Sequence, residues 1–163
     1  MAISFKNVGF TSQDRRFKKK VSLVPIGIKT PLALSNADRD SLFEMNFEPA
    51  AQIHDNLRNL ILTNNGERLG RFSYGADLRS LNFDYSASEE FEREAALRIQ
   101  SAVESSMPFI ELEELEVRGI DRRDNRDNDI PPGMALVEIT VKYNIPKIKI
   151  IGKLLKVVLY VGG

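Results

Sequence analysis

The chain has 163 residues, of which 42% are hydrophobic and 28% charged, a length and composition suited to one domain with its own core. Lys plus Arg and Asp plus Glu number 23 each, so the net charge of zero provides no overall attraction to nucleic acid or to an anionic membrane. The absence of Cys excludes disulfides, and the single His54 excludes most metal sites and catalytic triads. We therefore expect protein partners, and no cofactor, metal, nucleic acid, membrane or small-molecule substrate.

Residues 1–46 are predicted to form an extended N-terminal arm, and residues 47–163 a single domain. Pro25, Gly27 and Pro31 prevent a long helix in the arm and favour an extended chain. Residues 15–20 form a basic cluster that suits a solvated surface, an acidic protein face or, third, nucleic acid.

Two amphipathic helices are predicted in the domain. The first covers residues 49–63, with Pro49 in its first turn and an apolar stripe of Ile53, Leu57, Leu60 and Ile61. His54 flanks this stripe and is expected at the surface or partly packed. The second helix begins at Ser86 or Ser88 and ends before Pro108. Its apolar stripe consists of Phe91, Ala95, Ile99, Ala102 and Val103.

A turn rich in glycine separates the two helices. Gly66 lies where a helix ending near Thr63 or Asn64 needs a residue at positive φ, so we interpret it as the helix C-cap. Glu67 and Arg68 follow at once, and an Arg fork can satisfy several backbone carbonyls. We therefore interpret this pair as a structural polar contact rather than a catalytic one. Gly75 frees the backbone before a short helical pattern at residues 76–81.

After Pro108 the apolar period changes to two, which predicts strands. The phase slips at Glu113 and Glu114, which suggests a β-bulge. Residues 135–143 alternate cleanly, and the Asp-rich loop 119–133 is interpreted as solvated, because its spacing does not match a calcium loop. Lys residues in the tail from residue 145 are typical of a protected sheet edge. The predicted fold class is α+β, with two main helices on a small antiparallel sheet that ends in a C-terminal β-hairpin.

The stretch LILTNNGERLGRFSYGADLRSLNF, residues 60–83, resembles the core motif of the baseplate wedge and sheath-initiator family of contractile phage tails and type VI secretion systems. The matching positions are Thr63, Gly66, Glu67, Arg68, Tyr74 or Phe72, Gly75, Leu78 and Phe83. The resemblance covers about residues 47–160. The family that it points to includes the lysozyme-like baseplate wedge proteins of T-even phages. It implies a structural protein of the virion tail baseplate, assembled in the host cytoplasm, with wedge proteins and the tail sheath protein as partners.

The chain departs from that family at one point. Met107, Pro108 and Phe109 stand where the family has Glu-Pro-Arg, so we expect an apolar contact with a wedge partner in place of a charged one.

The resemblance also implies that the terminal hairpin accepts an extended arm of the sheath protein and templates sheath polymerisation. The strand from Leu154 to Tyr160 is predicted to present this edge. Two alternating sets of side chains could fill the shared core, either Leu155, Val157 and Leu159 or Leu154, Val158 and Tyr160.

An enzymatic alternative comes from the same resemblance, since some family members are described as carrying lysozyme activity. A muramidase needs two carboxylates about 5 to 9.5 Å apart, one of them with a raised pKa. Glu67 is the only carboxylate among the matching positions of the motif, and the adjacent Arg68 would lower its pKa. We therefore expect recognition rather than enzymatic turnover.

Overall fold

The computed structural model describes residues 24–35, 41–81, 89–120 and 134–162. The chain divides into two compact units, Met1–Gln52 and Ile53–Gly163. Four features of the sequence lie outside the described residues. They are the basic cluster at residues 15–20, the motif residue Phe83, the proposed cap at Ser86 and most of the Asp-rich loop. The predicted boundary at residue 46 stays a prediction.

The first unit contains a two-stranded antiparallel sheet. Its strands are β1 (Gly27–Ile28) and β2 (Met45–Asn46), and Gly27 is paired with Asn46. The Lys29 ammonium lies 2.7 Å from a Glu44 carboxylate oxygen next to this pairing. β1 therefore has the extended backbone that the surrounding proline and glycine residues predict.

The second unit is α+β, which confirms the predicted fold class. Its helices are α1 (Pro49–Leu62), whose first residues belong to the first unit, α2 (Leu78–Leu81) and α3 (Glu89–Ser106). Its strands are β3 (Glu111–Ile120), β4 (Met134–Ile145) and β5 (Ile150–Gly162). The strands form one antiparallel sheet in the order β3-β4-β5, and a 3-10 turn at Pro146–Ile148 joins the last two.

Both long helices are present with buried faces that match their predicted apolar stripes, although α1 ends at Leu62, one residue earlier than predicted, and Ile53 is only partly buried. Leu57, Leu60 and Ile61 of α1 are at most 1% exposed. All five residues of the predicted α3 stripe are also buried. α3 ends two residues before Pro108, because proline disfavours helical backbone at the residue that precedes it. None of the described helices is long and apolar enough to cross a membrane.

The sheet shows the predicted irregularity. The register of β3 against β4 shifts between Leu112 and Glu114, so Glu113 forms the bulge that the change of phase predicts. In β4, Val137, Ile139, Val141 and Tyr143 point into the core and are at most 4% exposed. Alternation therefore places one face of β4 against the interior of the unit.

Strand β5 settles which of its two apolar sets is internal. Leu155 and Val157 are each 2% exposed, and Leu159 packs against the same core. The other set, Leu154, Val158 and Tyr160, is between 44% and 61% exposed. Only the first of the two predicted sets therefore fills the core.

Candidate functional site

The glycine-rich motif forms a compact turn just beyond α1. Gly66 has φ +85°, the positive value that its position predicts. It is not the helix C-cap, however, because α1 ends at Leu62 and Gly66 belongs to the following turn. The Glu67 backbone N–H donates to the Asn64 carbonyl at 3.2 Å, and the Gly66 N–H donates to the Phe72 carbonyl at 2.8 Å. The glycine thus closes the loop and not the helix.

Glu67 holds this turn through Asn64. Its carboxylate accepts hydrogen bonds from the Asn64 backbone N–H and side-chain amide, both at 2.9 Å. These bonds lower the pKa of Glu67, because they stabilise the ionised form. Glu67 is therefore a structural acceptor, as predicted for a motif residue, but its partner is an asparagine and not the neighbouring arginine.

Within the described part of the chain, the guanidinium of Arg68 contacts an aromatic ring and bridges no backbone carbonyls, contrary to the prediction. Its guanidinium lies over the ring of Tyr74, 4.2 Å from the ring centroid, and the residue is exposed. Tyr74 packs against the core, whereas Phe72 is 68% exposed, so Tyr74 is the inward aromatic of the two alternatives. Arg68 therefore contributes an exposed cation–π contact.

The chain then returns past the end of α1, and Gly75 makes this possible. A Cβ at Gly75 would lie 2.2 Å from the Thr63 carbonyl oxygen, and the φ of Gly75 is +122°. The Ala76 N–H donates to the Leu60 carbonyl at 3.1 Å, and the Asp77 N–H donates to the Thr63 carbonyl at 3.3 Å. The returning backbone therefore satisfies carbonyls that the helix end leaves without intrahelical partners.

The guanidinium that bonds a carbonyl in this region belongs to Arg98 on α3. It donates to the Asp77 carbonyl at 2.9 Å and also to the Ser80 hydroxyl. Ser80 in turn donates to the Asp77 carbonyl and carboxylate, both at 2.9 Å, and Arg98 pairs with Glu94 at 3.2 Å. No spacing rule in the sequence points to this network, because Arg98 is distant along the chain from Asp77 and Ser80.

Leu78, the remaining described motif residue, is 5% exposed in the core beside Leu81 of α2. The motif therefore brings together the end of α1, the returning loop and α2. Among the residues that the structure describes, no three His, Asp or Glu side chains are grouped to hold a metal ion.

The predicted partner contact at the tripeptide that follows α3 must be corrected for Met107. Met107 is 5% exposed and belongs to the core of its own unit, so its side chain does not present a contact to a partner. Pro108 is exposed, and Phe109 is partly buried against the same core. A partner contact at this place remains a prediction for Pro108 and the exposed part of Phe109.

His54 and Tyr143 form a pair on the inner side of the sheet. His54 Nδ1 and the Tyr143 hydroxyl oxygen are 2.8 Å apart, and the rings are stacked with centroids 6.2 Å apart. Burial, and then the nearby Lys153, lower the pKa of His54. Burial, with a further contribution from Asp55, raises the pKa of Tyr143 to about 12. The neutral forms of both groups are therefore favoured in the folded chain.

Strand β5 presents the remaining predicted site. In the part of the chain that the structure describes, β5 pairs with β4 alone, so it is an edge of the three-stranded sheet. Its outer face carries Leu154, Val158 and Tyr160, with Lys156 among them. An edge strand offers unpaired backbone groups to an added strand.

No protein-family model matches this sequence, and neither does any curated protein. Among solved structures, the fold is similar to a chain in the cryo-EM structure of the anti-feeding prophage (AFP) baseplate. The two chains are 18% identical with a TM-score of 0.54, and the match covers 72% of this chain and 82% of that chain. The crystal structure of a "putative tail lysozyme" from Geobacter sulfurreducens is 16% identical, with a TM-score of 0.47, and the match covers 71% of this chain and 91% of that one. The similarity to the AFP chain shows a shared fold.

We expect Gly75→Ala to destabilise the chain by at least about 2 kcal/mol more than Gly66→Ala. Both glycines have positive φ, but a Cβ at Gly66 meets nothing within 4 Å, whereas a Cβ at Gly75 collides with the Thr63 carbonyl. Urea unfolding of the two variants measures the difference. Equal losses of stability would show that the close passage over α1 is not required.

Arg98→Ala should lower the free energy of unfolding by about 1 to 3 kcal/mol, since it removes the guanidinium that donates to the Asp77 carbonyl and to the Ser80 hydroxyl. The matched control, Arg68→Ala, should cost at most about 1 kcal/mol, because it removes only an exposed cation–π contact. Thermal and urea unfolding test both variants. A larger loss of stability for Arg68→Ala than for Arg98→Ala would support the sequence-based interpretation that Arg68 satisfies backbone carbonyls.

Stability should fall as the pH falls below 6.5, the ordinary pKa of His54. Because the folded pKa is lower, the unfolded chain binds more protons between the two pKa values, and the loss ends below the folded pKa. His54→Gln should flatten this dependence in urea unfolding. NMR titration of the sole imidazole gives the folded pKa directly, and a value at or above 6.5 would contradict the prediction.

Proposed function

We propose that this chain is a structural component of a contractile-tail baseplate, where it links the wedge to the first sheath ring. The proposal is supported by the fold shared with a chain of the AFP baseplate. The match covers 82% of that chain. It is also supported by the turn built from Thr63, Gly66, Glu67 and Gly75, since these residues of the sequence motif meet in one place.

The observation that carries the proposed mechanism is the free edge of β5. Within the described residues, the sheet ends at this strand, and Leu154, Val158 and Tyr160 expose apolar surface beside its backbone. Main-chain hydrogen bonds to an added strand would set the register, and the apolar side chains would add buried area. We propose that an extended arm of the tail sheath protein adds here and that the enlarged sheet templates sheath polymerisation.

Contact with the wedge is proposed on a different surface. Pro108 is exposed and Phe109 is partly exposed immediately after α3, and the family that the motif resembles has its charged tripeptide at this position. Since Met107 fills the core of its own unit, any wedge contact made here is limited to these two residues.

Recognition, and not glycoside hydrolysis, is the activity that we propose. A general acid needs a carboxyl group with a raised pKa. Hydrogen bonds from Asn64 lower the pKa of Glu67, the carboxylate of the motif, and the residue is exposed. The carboxylate therefore stays ionised and serves the turn.

Single-cysteine crosslinking tests the strand addition cleanly, because the natural chain has no Cys. The Val158→Cys and Tyr160→Cys variants are labelled with a maleimide that carries a photoactivatable group, and are then built into particles. On illumination, both should crosslink to the sheath protein. The matched control is Leu97→Cys, which replaces a residue 53% exposed on α3 and should give no sheath crosslink. Normal sheathed particles without crosslinks from either β5 position would refute the proposed sheath contact.

A further inference from the structure

The two outer strands of the three-stranded sheet carry opposite charges. Strand β3 contains four Glu and one Arg. The 3-10 turn, Lys149 and β5 together, residues 146–162, contain four Lys and neither Asp nor Glu. A strand that approaches β5 therefore meets a basic segment, although the chain as a whole has no net charge.

Neighbouring strands of this sheet already place opposite charges side by side. The Lys142 ammonium of β4 lies 2.7 Å from the Glu113 carboxylate of β3. The Lys156 ammonium of β5 lies 2.6 Å from the Glu138 carboxylate of β4. Cross-strand pairs of opposite charge stabilise a sheet, and like charges placed opposite each other destabilise it.

Lys156 is positioned to extend this pattern to one more strand. Its side chain is 63% exposed despite the Glu138 contact, and an ammonium has three donors. It lies on the outer face between Leu154 and Val158, both of which are exposed. Along β5 itself, the outer face therefore carries one basic group within an apolar row.

We infer that the strand which docks on β5 is acidic, with a carboxylate opposite Lys156 and apolar residues on either side of that carboxylate. The inference rests on the proposed function, since it describes the partner of the same edge. A protein strand fits better than nucleic acid, because the leucine and valine of the exposed row offer phosphate groups no hydrogen bonds. The charge contributes register and selectivity, and the backbone contributes most of the affinity.

Synthetic peptides test the inference on the purified full chain. Three peptides share one alternating apolar pattern and differ only in a central Glu, Gln or Lys. Titration followed by backbone amide NMR shifts of β5 should rank their affinities Glu, then Gln, then Lys. The Glu and Lys peptides should differ by at least about threefold, less at high salt.

Two charge-reversal variants distinguish a local pair between Lys156 and the peptide carboxylate from a general electrostatic attraction to the basic segment. Lys156→Glu should reverse the ranking of the Glu and Lys peptides. Lys147→Glu makes the same change in net charge at an exposed position in the 3-10 turn and should leave the ranking unchanged. An equal effect of both variants would overturn the assignment of the carboxylate to Lys156.

The remaining outcomes distinguish this inference from the proposed function. Equal binding of all three peptides at β5 would overturn the charge selectivity and leave strand addition intact. Failure of every peptide to bind, together with absence of sheath crosslinks from Val158→Cys and Tyr160→Cys, would overturn strand addition and the inference with it.

Discussion

The passage of Gly75 over the last turn of α1 is the constraint on which the motif depends. Buried helix ends require partners for their last carbonyls, and here the partners are the N–H groups of Ala76 and Asp77. The backbone reaches those carbonyls only because residue 75 has no Cβ. Arg98 then fixes the Asp77 carbonyl from α3. One close approach thereby joins the end of α1, the start of α2 and the middle of α3.

Features that are local or periodic could be predicted from the sequence. The buried faces of α1 and α3, the bulge at Glu113 and the positive φ of Gly66 all follow from residue types at fixed spacings. The polar network could not be predicted, because Asp77 and Arg98 are 21 residues apart and no spacing rule relates them. Adjacent charges suggested Arg68 instead, yet adjacency in sequence does not determine which carbonyl a guanidinium reaches.

The apolar residues show a second limit of sequence reasoning. Met107 follows the expected end of α3, but only the packing shows that its side chain belongs to its own core. On β5 both alternating sets are apolar, so period-two patterning leaves the buried face undetermined. The structure buries Leu155 and Val157, and the outer set therefore adds little to the core. A row of exposed apolar side chains on an edge strand is more typical of an interface than of a monomer surface.

The two faces of the β4-β5 hairpin therefore have separate physical roles. On the inner face, Tyr143 is opposite Lys153 in the sheet register and contacts His54 of α1, so protonation of the imidazole acts on core stability. On the outer face, Thr140 is opposite Lys156, which lies within the exposed apolar row of β5. Because successive side chains alternate between the faces, a substitution on the outer face alters the exposed row without removing a core contact. A preformed edge of this kind can accept a strand without repacking the interior that holds it in place.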